Sequence, residues 1–115
     1  MARVGRLTRR QDYLRLTESG RSIVTAAFVF SYMPAPDGVR VGYTASRKIG
    51  TAVDRNRARR RLKALVARAP EGIAPADIVF IARAAVLNRP LEKMLADLGR
   101  CLAESGLKAD GGGAA

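Results

Sequence analysis

The sequence predicts an α+β fold: a single-domain, two-layer sandwich in the order helix, strand, strand, helix, strand, helix. Three observations carry that expectation. Apolar residues recur at helical spacing in separate stretches, β-prone runs lie between them, and no internal repeat or long linker divides the chain. Its 115 residues suit one domain with one core, and an apolar content of 48% is enough to pack it. The expected domain is 1–106. Residues 107–115, ending Gly-Gly-Gly-Ala-Ala, are expected to form a disordered tail.

Each element has a local reason. Thr8 and Gln11 stand at capping-box spacing and predict the start of a first helix. Tyr13, Leu16 and Thr17 share its face, and Gly20 supplies a stop. From Ile23 to Met33 the chain is β-prone, and Pro34-Ala35-Pro36-Asp37-Gly38 is a turn cluster. Val39 to Ser46 alternates, with Val39, Val41, Tyr43 and Ala45 on one face and Arg40, Gly42, Thr44 and Ser46 on the other. These two strands are expected to form a hairpin. Thr51 and Asp54 are spaced as a capping box for the second helix, whose buried stripe is Ala58, Leu62, Leu65, Val66 and Ala69, with Pro70 ending it. Asp77 to Arg83 is nearly continuously apolar, as expected of a strand buried on both faces. Asn88 is expected to cap the last helix, with its stripe at Leu91, Met94, Leu95, Leu98, Cys101 and Leu102, and Gly106 to stop it. All helices are expected against one sheet face, leaving open the face with Arg40, Thr44 and Ser46.

Charge narrows the function. The chain carries +11 with no His, and the excess is focused. Residues 47–68 hold nine Lys/Arg against Asp54 alone, while residues 69–115 hold five against six acids. Self-repulsion of that kind is relieved by a polyanion, and a charge serving only solubility has no reason to be focused. A single cysteine excludes an internal disulfide and a cysteine zinc site, and its place on a helical stripe makes it a core residue. The first ten residues are basic but lead into no apolar run. The longest apolar stretch, Ile23 to Phe30, is too short to span a bilayer. A cytoplasmic protein without membrane association is expected.

On a helical wheel of about 100° per residue, Arg57, Arg60, Arg61, Lys63 and Arg68 fall opposite the apolar stripe, with Arg59 at its border and Arg55 near the stripe in the first turn. No carboxylate follows at i+4 to relieve Arg59, Arg60 and Arg61. Arginine makes paired bonds to phosphate and stacks on bases, Asn56 can bond a base edge or a 2′-hydroxyl, and a helix N-terminus favours phosphate. A solvated charged face and an acidic protein partner are the blander alternatives.

Arg47-Lys48-Ile49-Gly50-Thr51-Ala52-Val53-Asp54-Arg55-Asn56-Arg57-Ala58-Arg59-Arg60-Arg61-Leu62-Lys63 closely resembles the signature of the bacterial ribonuclease P protein subunit. The resemblance extends from Leu7-Thr8 through Gly20, the family's opening helix, to Arg40-Val41-Gly42 with Ser46 and to Ile81-Ala82-Arg83, covering roughly residues 6–105. It implies the protein cofactor of an RNA enzyme that removes the 5′ leader from precursor tRNA. Catalysis, with Mg2+, would belong to the RNA subunit, and no cofactor is expected on the protein itself. The implied partners are ribonuclease P RNA and precursor tRNA.

Carried over by position, Lys48, Arg55, Asn56, Arg57, Arg59, Arg60 and Lys63 would contact the catalytic RNA. Tyr13, Phe28, Arg40, Thr44 and Arg83 would line a cleft for the single-stranded leader. Tyr13 has stacking and plain packing as alternatives, and Phe28 has cleft and core. Thr17 and Ser31 depart from the pattern, standing where some members carry further cleft aromatics, which shifts leader grip toward Arg40, Thr44, Lys48 and Arg83. The resemblance also implies a left-handed βαβ crossover, against the usual preference. An independent nuclease would need clustered carboxylates or a His, and the basic region has only Asp54. A small basic ribosomal protein is the competing class. DNA binding is weaker, since no helix-turn-helix partner is evident.

Overall fold

The computed structural model describes residues 5–70 and 72–108. Among them the elements run β1 (Gly5–Arg6), α1 (Arg10–Ser19), β2 (Arg21–Val24), β3 (Phe28–Pro34), β4 (Val39–Thr44), α2 (Ala52–Ala67), β5 (Ala76–Ala82) and α3 (Leu91–Ser105). Short 3-10 turns, Arg47–Ile49 and Ala84–Leu87, precede α2 and α3. The strands form one sheet in the order β1-β4-β5-β3-β2. The α+β class holds, with three departures in arrangement.

The first departure is the run from Ile23 to Met33, which is two strands. The Thr25 hydroxyl donates to Phe28 O at 2.8 Å and accepts from Phe28 N–H at 3.2 Å, closing a turn between β2 and β3. The turn is written in Thr and Ala, without the Gly, Asn or Asp that usually announces one. The antiparallel pairing of Ile23 with Phe30 and Val24 with Val29 is the true hairpin.

Second, β3 and β4 do not pair. The Ala35–Gly38 link crosses the start of β5, with Ala35 N–H donating to Pro75 O and Ala76 N–H to Gly38 O. β5 therefore enters between them, antiparallel to β3 and parallel to β4. The physical reason is composition: the most apolar strand belongs where both faces and both edges are covered.

Third, the helices do not share a face. Phe28, Phe30, Val41, Ile78 and Phe80 pack with Ala58, Leu62 and Leu65 of α2 and with Met94, Leu98 and Cys101 of α3 in the main core. Phe80 is its hub, meeting Phe28 and Phe30 edge-on at 5.3 and 5.6 Å. α1 lies on the opposite face, where Leu16 packs with Leu7 and with Val79, which alternates along β5 with the core residues Ile78 and Phe80. The face expected to be open is thus partly roofed by α1.

The caps behave unevenly. Thr51 and Asp54 form the expected box. Thr8 and Gln11 do not, since α1 begins after Arg9 without a side-chain cap. Asn88 ends the 3-10 turn, and Pro90 is the residue before α3. Ala67 is the last residue of α2, ahead of Pro70. Leu107, assigned to the tail by sequence, is buried, and its carbonyl accepts from Ala74 N–H at 2.7 Å. The packed part of the chain thus runs past residue 106; residues 109–115 lie outside the described residues.

Candidate nucleic-acid interface

The loop into α2 sets the direction of the basic helix. Gly50 has φ +141°, a region closed to most side chains, and a Cβ there would meet the Asp54 carboxylate at 2.4 Å. Asp54 accepts from Thr51 N–H at 3.0 Å, and Thr51 Oγ1 accepts from Asp54 N–H at 3.2 Å. With its first turn tied, α2 buries Ala58, Leu62, Leu65 and Val66 and turns the rest outward.

The outward residues divide by what they touch. Arg57, Arg60 and Lys63 are exposed, and among the described residues no carboxylate is within ion-pair reach of them. Arg55 folds back to donate to Gly50 O at 3.0 Å. Arg59 donates to Asn56 Oδ1, so those two side chains hold each other. Lys48 is exposed on the turn before α2, its N–H donating to Ser46 Oγ at 3.3 Å. Arg61 departs from the wheel. It leans inward to donate to Arg89 O, and its Nε is buried without a hydrogen-bond partner among the described residues. Arg61 is a strut between α2 and the approach to α3, and does not extend the cationic arc.

Beside this helix the sheet edge forms a pocket of about 280 Å3, lined in part by Arg6, Tyr13, Gly42, Tyr43, Arg59 and Lys63. The Lys63 ammonium lies 5.9 Å from the centre of the Tyr43 ring, itself stacked on Phe80. Burial pushes the Tyr43 hydroxyl above its ordinary pKa, and the Arg6 charge opposes that shift.

A groove of about 180 Å3 follows on the other side of Tyr13. Tyr13, Leu16 and Thr17 of α1 form one wall, and Ser31, Thr44, Val79 and Ile81 of the sheet form the other. Tyr13 lines both cavities, and its hydroxyl donates to Leu7 O at 2.9 Å. Of the residues expected in a leader cleft, Tyr13 and Thr44 line this groove. Phe28 is not: it is fully buried on the opposite sheet face, because alternate residues of β3 face opposite ways. Arg83 sits past the end of β5 and donates to Thr25 O at 2.7 Å. Arg40 lies on the groove face but is not free. Its Nε and Nη2 each donate to Asp77 at 2.8 Å. That bonding raises its pKa, with desolvation opposing.

The sequence reading missed Asp77 itself, a fully buried carboxylate on the central strand. A lone acid heading an apolar run was the available signal. Among the described residues, no three His, Cys, Asp or Glu side chains converge to hold a metal ion. No helix among them is long and apolar enough to cross a membrane.

Fold and surface together define a small α+β protein with an unneutralised arginine-rich helix beside a narrow groove, a form suited to an extended polyanion. The chain belongs to the ribonuclease P protein family, whose model, described as Ribonuclease P, matches residues 1–106. It is 40% identical over 105 residues to the ribonuclease P protein component of Paramagnetospirillum magneticum, covering 84% of this chain and 79% of that one. It is 32% identical over 110 residues to that of Gluconacetobacter diazotrophicus, covering 92% and 95%. The fold matches the solved RNase P protein of Staphylococcus aureus with a TM-score of 0.76 at 25% identity, over 90% of this chain and 96% of that one. The Thermotoga maritima protein matches at 0.69 and 26%, over 84% and 94%.

Proposed function

We propose that this chain, as the protein subunit of ribonuclease P, binds the catalytic RNA through α2 and holds the 5′ leader of precursor tRNA in the groove beneath α1. The observation that carries the reading is the set of exposed cations Arg57, Arg60 and Lys63, without carboxylate partners among the described residues, on a surface that also holds a groove between α1 and the sheet. Lys48, Arg55, Asn56 and Arg59 extend the RNA-facing surface, although Arg55, Asn56 and Arg59 must exchange internal bonds for external ones. In the groove, Tyr13 offers a ring for base stacking, which tolerates any sequence, and Thr44 offers a hydroxyl. The chemistry of leader cleavage resides in the RNA with its Mg2+. The chain supplies contacts and screens phosphate repulsion between the two RNAs. Cytoplasmic residence follows from that partnership.

Reconstitution tests this. Chain and a bacterial ribonuclease P RNA are combined, and precursor tRNA cleavage is measured at low magnesium with and without protein. Cleavage restored by the protein is the expected result; no effect on cleavage or on substrate affinity overturns the reading. Co-sedimentation with a ribosomal subunit, and not with this RNA, would instead indicate a ribosomal protein, the class that the family match disfavours.

A further inference from the structure

α1 has little apolar seating. Among the described residues, Leu7, Leu16 and Val79 form its buried apolar cluster, with Tyr13 and Met33 packed against them. Charge joins it to the sheet as well. Asp77, on central strand β5 and fully buried, accepts from Arg15 Nη2 of α1 at 2.6 Å and from Arg40 of β4 through two bonds of 2.8 Å. Asp12 of α1, also buried, lies 3.5 Å from Arg15 and 3.9 Å from Arg40. Two carboxylates and two guanidiniums, drawn from three elements, close a balanced network under the helix.

Such a network is a poor source of stability, because desolvating its charges offsets most of their attraction, and well-packed apolar residues often serve as well. What it supplies is geometry. Paired bonds from a planar guanidinium fix direction as well as distance, and a buried carboxylate with two donors has one satisfactory place to sit. The two walls that it joins are those of the groove: Tyr13 and Thr17 ride on α1, and Ser31, Thr44 and Ile81 on the sheet.

We propose that Asp77 is a positioning residue for the groove. Through Arg15 it sets the distance of α1 from the sheet, and through Arg40 it ties that seat to β4. This role rests on the reading that the groove takes the leader. Asp77 itself touches no RNA; it acts through α1, keeping Tyr13 at stacking distance from the opposite wall.

The test uses the reconstituted holoenzyme and two precursor tRNAs, one with a full leader and one with the leader trimmed to a single nucleotide. The ratio of their affinities is the leader increment. Asp77→Asn keeps the shape and removes the charge. It is expected to lower the increment on the order of tenfold, the scale of one misplaced stacking contact. Affinity for the trimmed substrate and for the catalytic RNA should stay unchanged. Arg15→Gln, at a side chain 47% exposed, spares the Arg40–Asp77 pair and the fold. It is expected to lose part of the increment, which Arg15→Lys restores by keeping the ion pair. If the wild type does not distinguish the two substrates, the groove reading falls and this role falls with it. If the wild type distinguishes them and both Asp77→Asn and Arg15→Gln keep the full increment, only the positioning role is overturned. Equal weakening of both substrates marks a merely structural role and overturns it too. Should Asp77→Asn fail to fold, the Arg15 pair decides alone.

Discussion

The ring of Tyr13 lies against Gly42, so close that a Cβ on Gly42 would fall 2.5 Å from the Tyr13 hydroxyl oxygen. The glycine lets an α1 aromatic reach across β4 and donate to Leu7 O, which places one ring in the wall of both cavities. Gly42→Ala is therefore expected to push the ring aside and break that hydrogen bond. The cost should be about 1–3 kcal/mol, the range for overpacking a close contact. Urea unfolding measures it, and leader affinity should fall in the same variant. Unchanged leader affinity would detach Tyr13 from the binding role.

The exposed cations and the strut predict opposite signatures. Arg57→Ala and Arg60→Ala should leave the melting temperature nearly unchanged, since surface substitutions usually stay within about 0.5 kcal/mol. Each should weaken binding to the catalytic RNA and reduce the salt slope of log affinity by about one. Arg61→Ala removes a half-buried stem and its bond to Arg89 O. It should cost about 1 kcal/mol of stability with little change in salt slope. Thermal melts and a salt titration separate the two classes. A salt slope altered by Arg61→Ala alone would reverse the assignment.

Thr17 and Ser31 face each other across the groove where an aromatic would add stacking surface. Thr17 is exposed at the groove wall, and its hydroxyl donates to Tyr13 O within its own helix. Thr17→Phe is expected to raise affinity for leader-bearing precursor about 5-fold, from roughly 1 kcal/mol of added stacking. It should have no effect on a leaderless substrate, and an equal gain on both would place the new ring outside the leader's path.

Cys101 is buried in the main core, and burial pushes its thiol from 9.0 up to about 11. The sign follows from proton counting. Between those values the unfolded chain has released a proton that the folded chain retains. Its contribution is complete below pH 9.0 and is lost as pH rises toward about 11. A Cys101→Ala variant should lack that alkaline loss. In the native protein a thiol reagent should react no faster than global unfolding allows, and rapid labelling under native conditions would contradict the burial.

The sequence by itself determined what depends on near neighbours along the chain. The stripe of α2, its Thr51–Asp54 box, the stripe of α3 with Cys101 on it, and the unrelieved Arg57, Arg60 and Lys63 all follow from helical spacing and local charge. The motif that marks the family lies within a single loop and helix, so it too was legible. Tertiary structure decided which strand lies beside which. β5 separates β3 from β4 because strand pairing is long-range and the turn between them is compatible with either arrangement. It also decided what covers each face. Alternation shows that Arg40 and Thr44 share a side, but not that α1 roofs it or that Asp77 waits beneath Arg40. Periodicity says which way a side chain points, and only the packed chain says what it meets. Arg40 and Arg61 found internal partners, whereas Arg57, Arg60 and Lys63 stayed exposed on the cationic helix first read from the sequence.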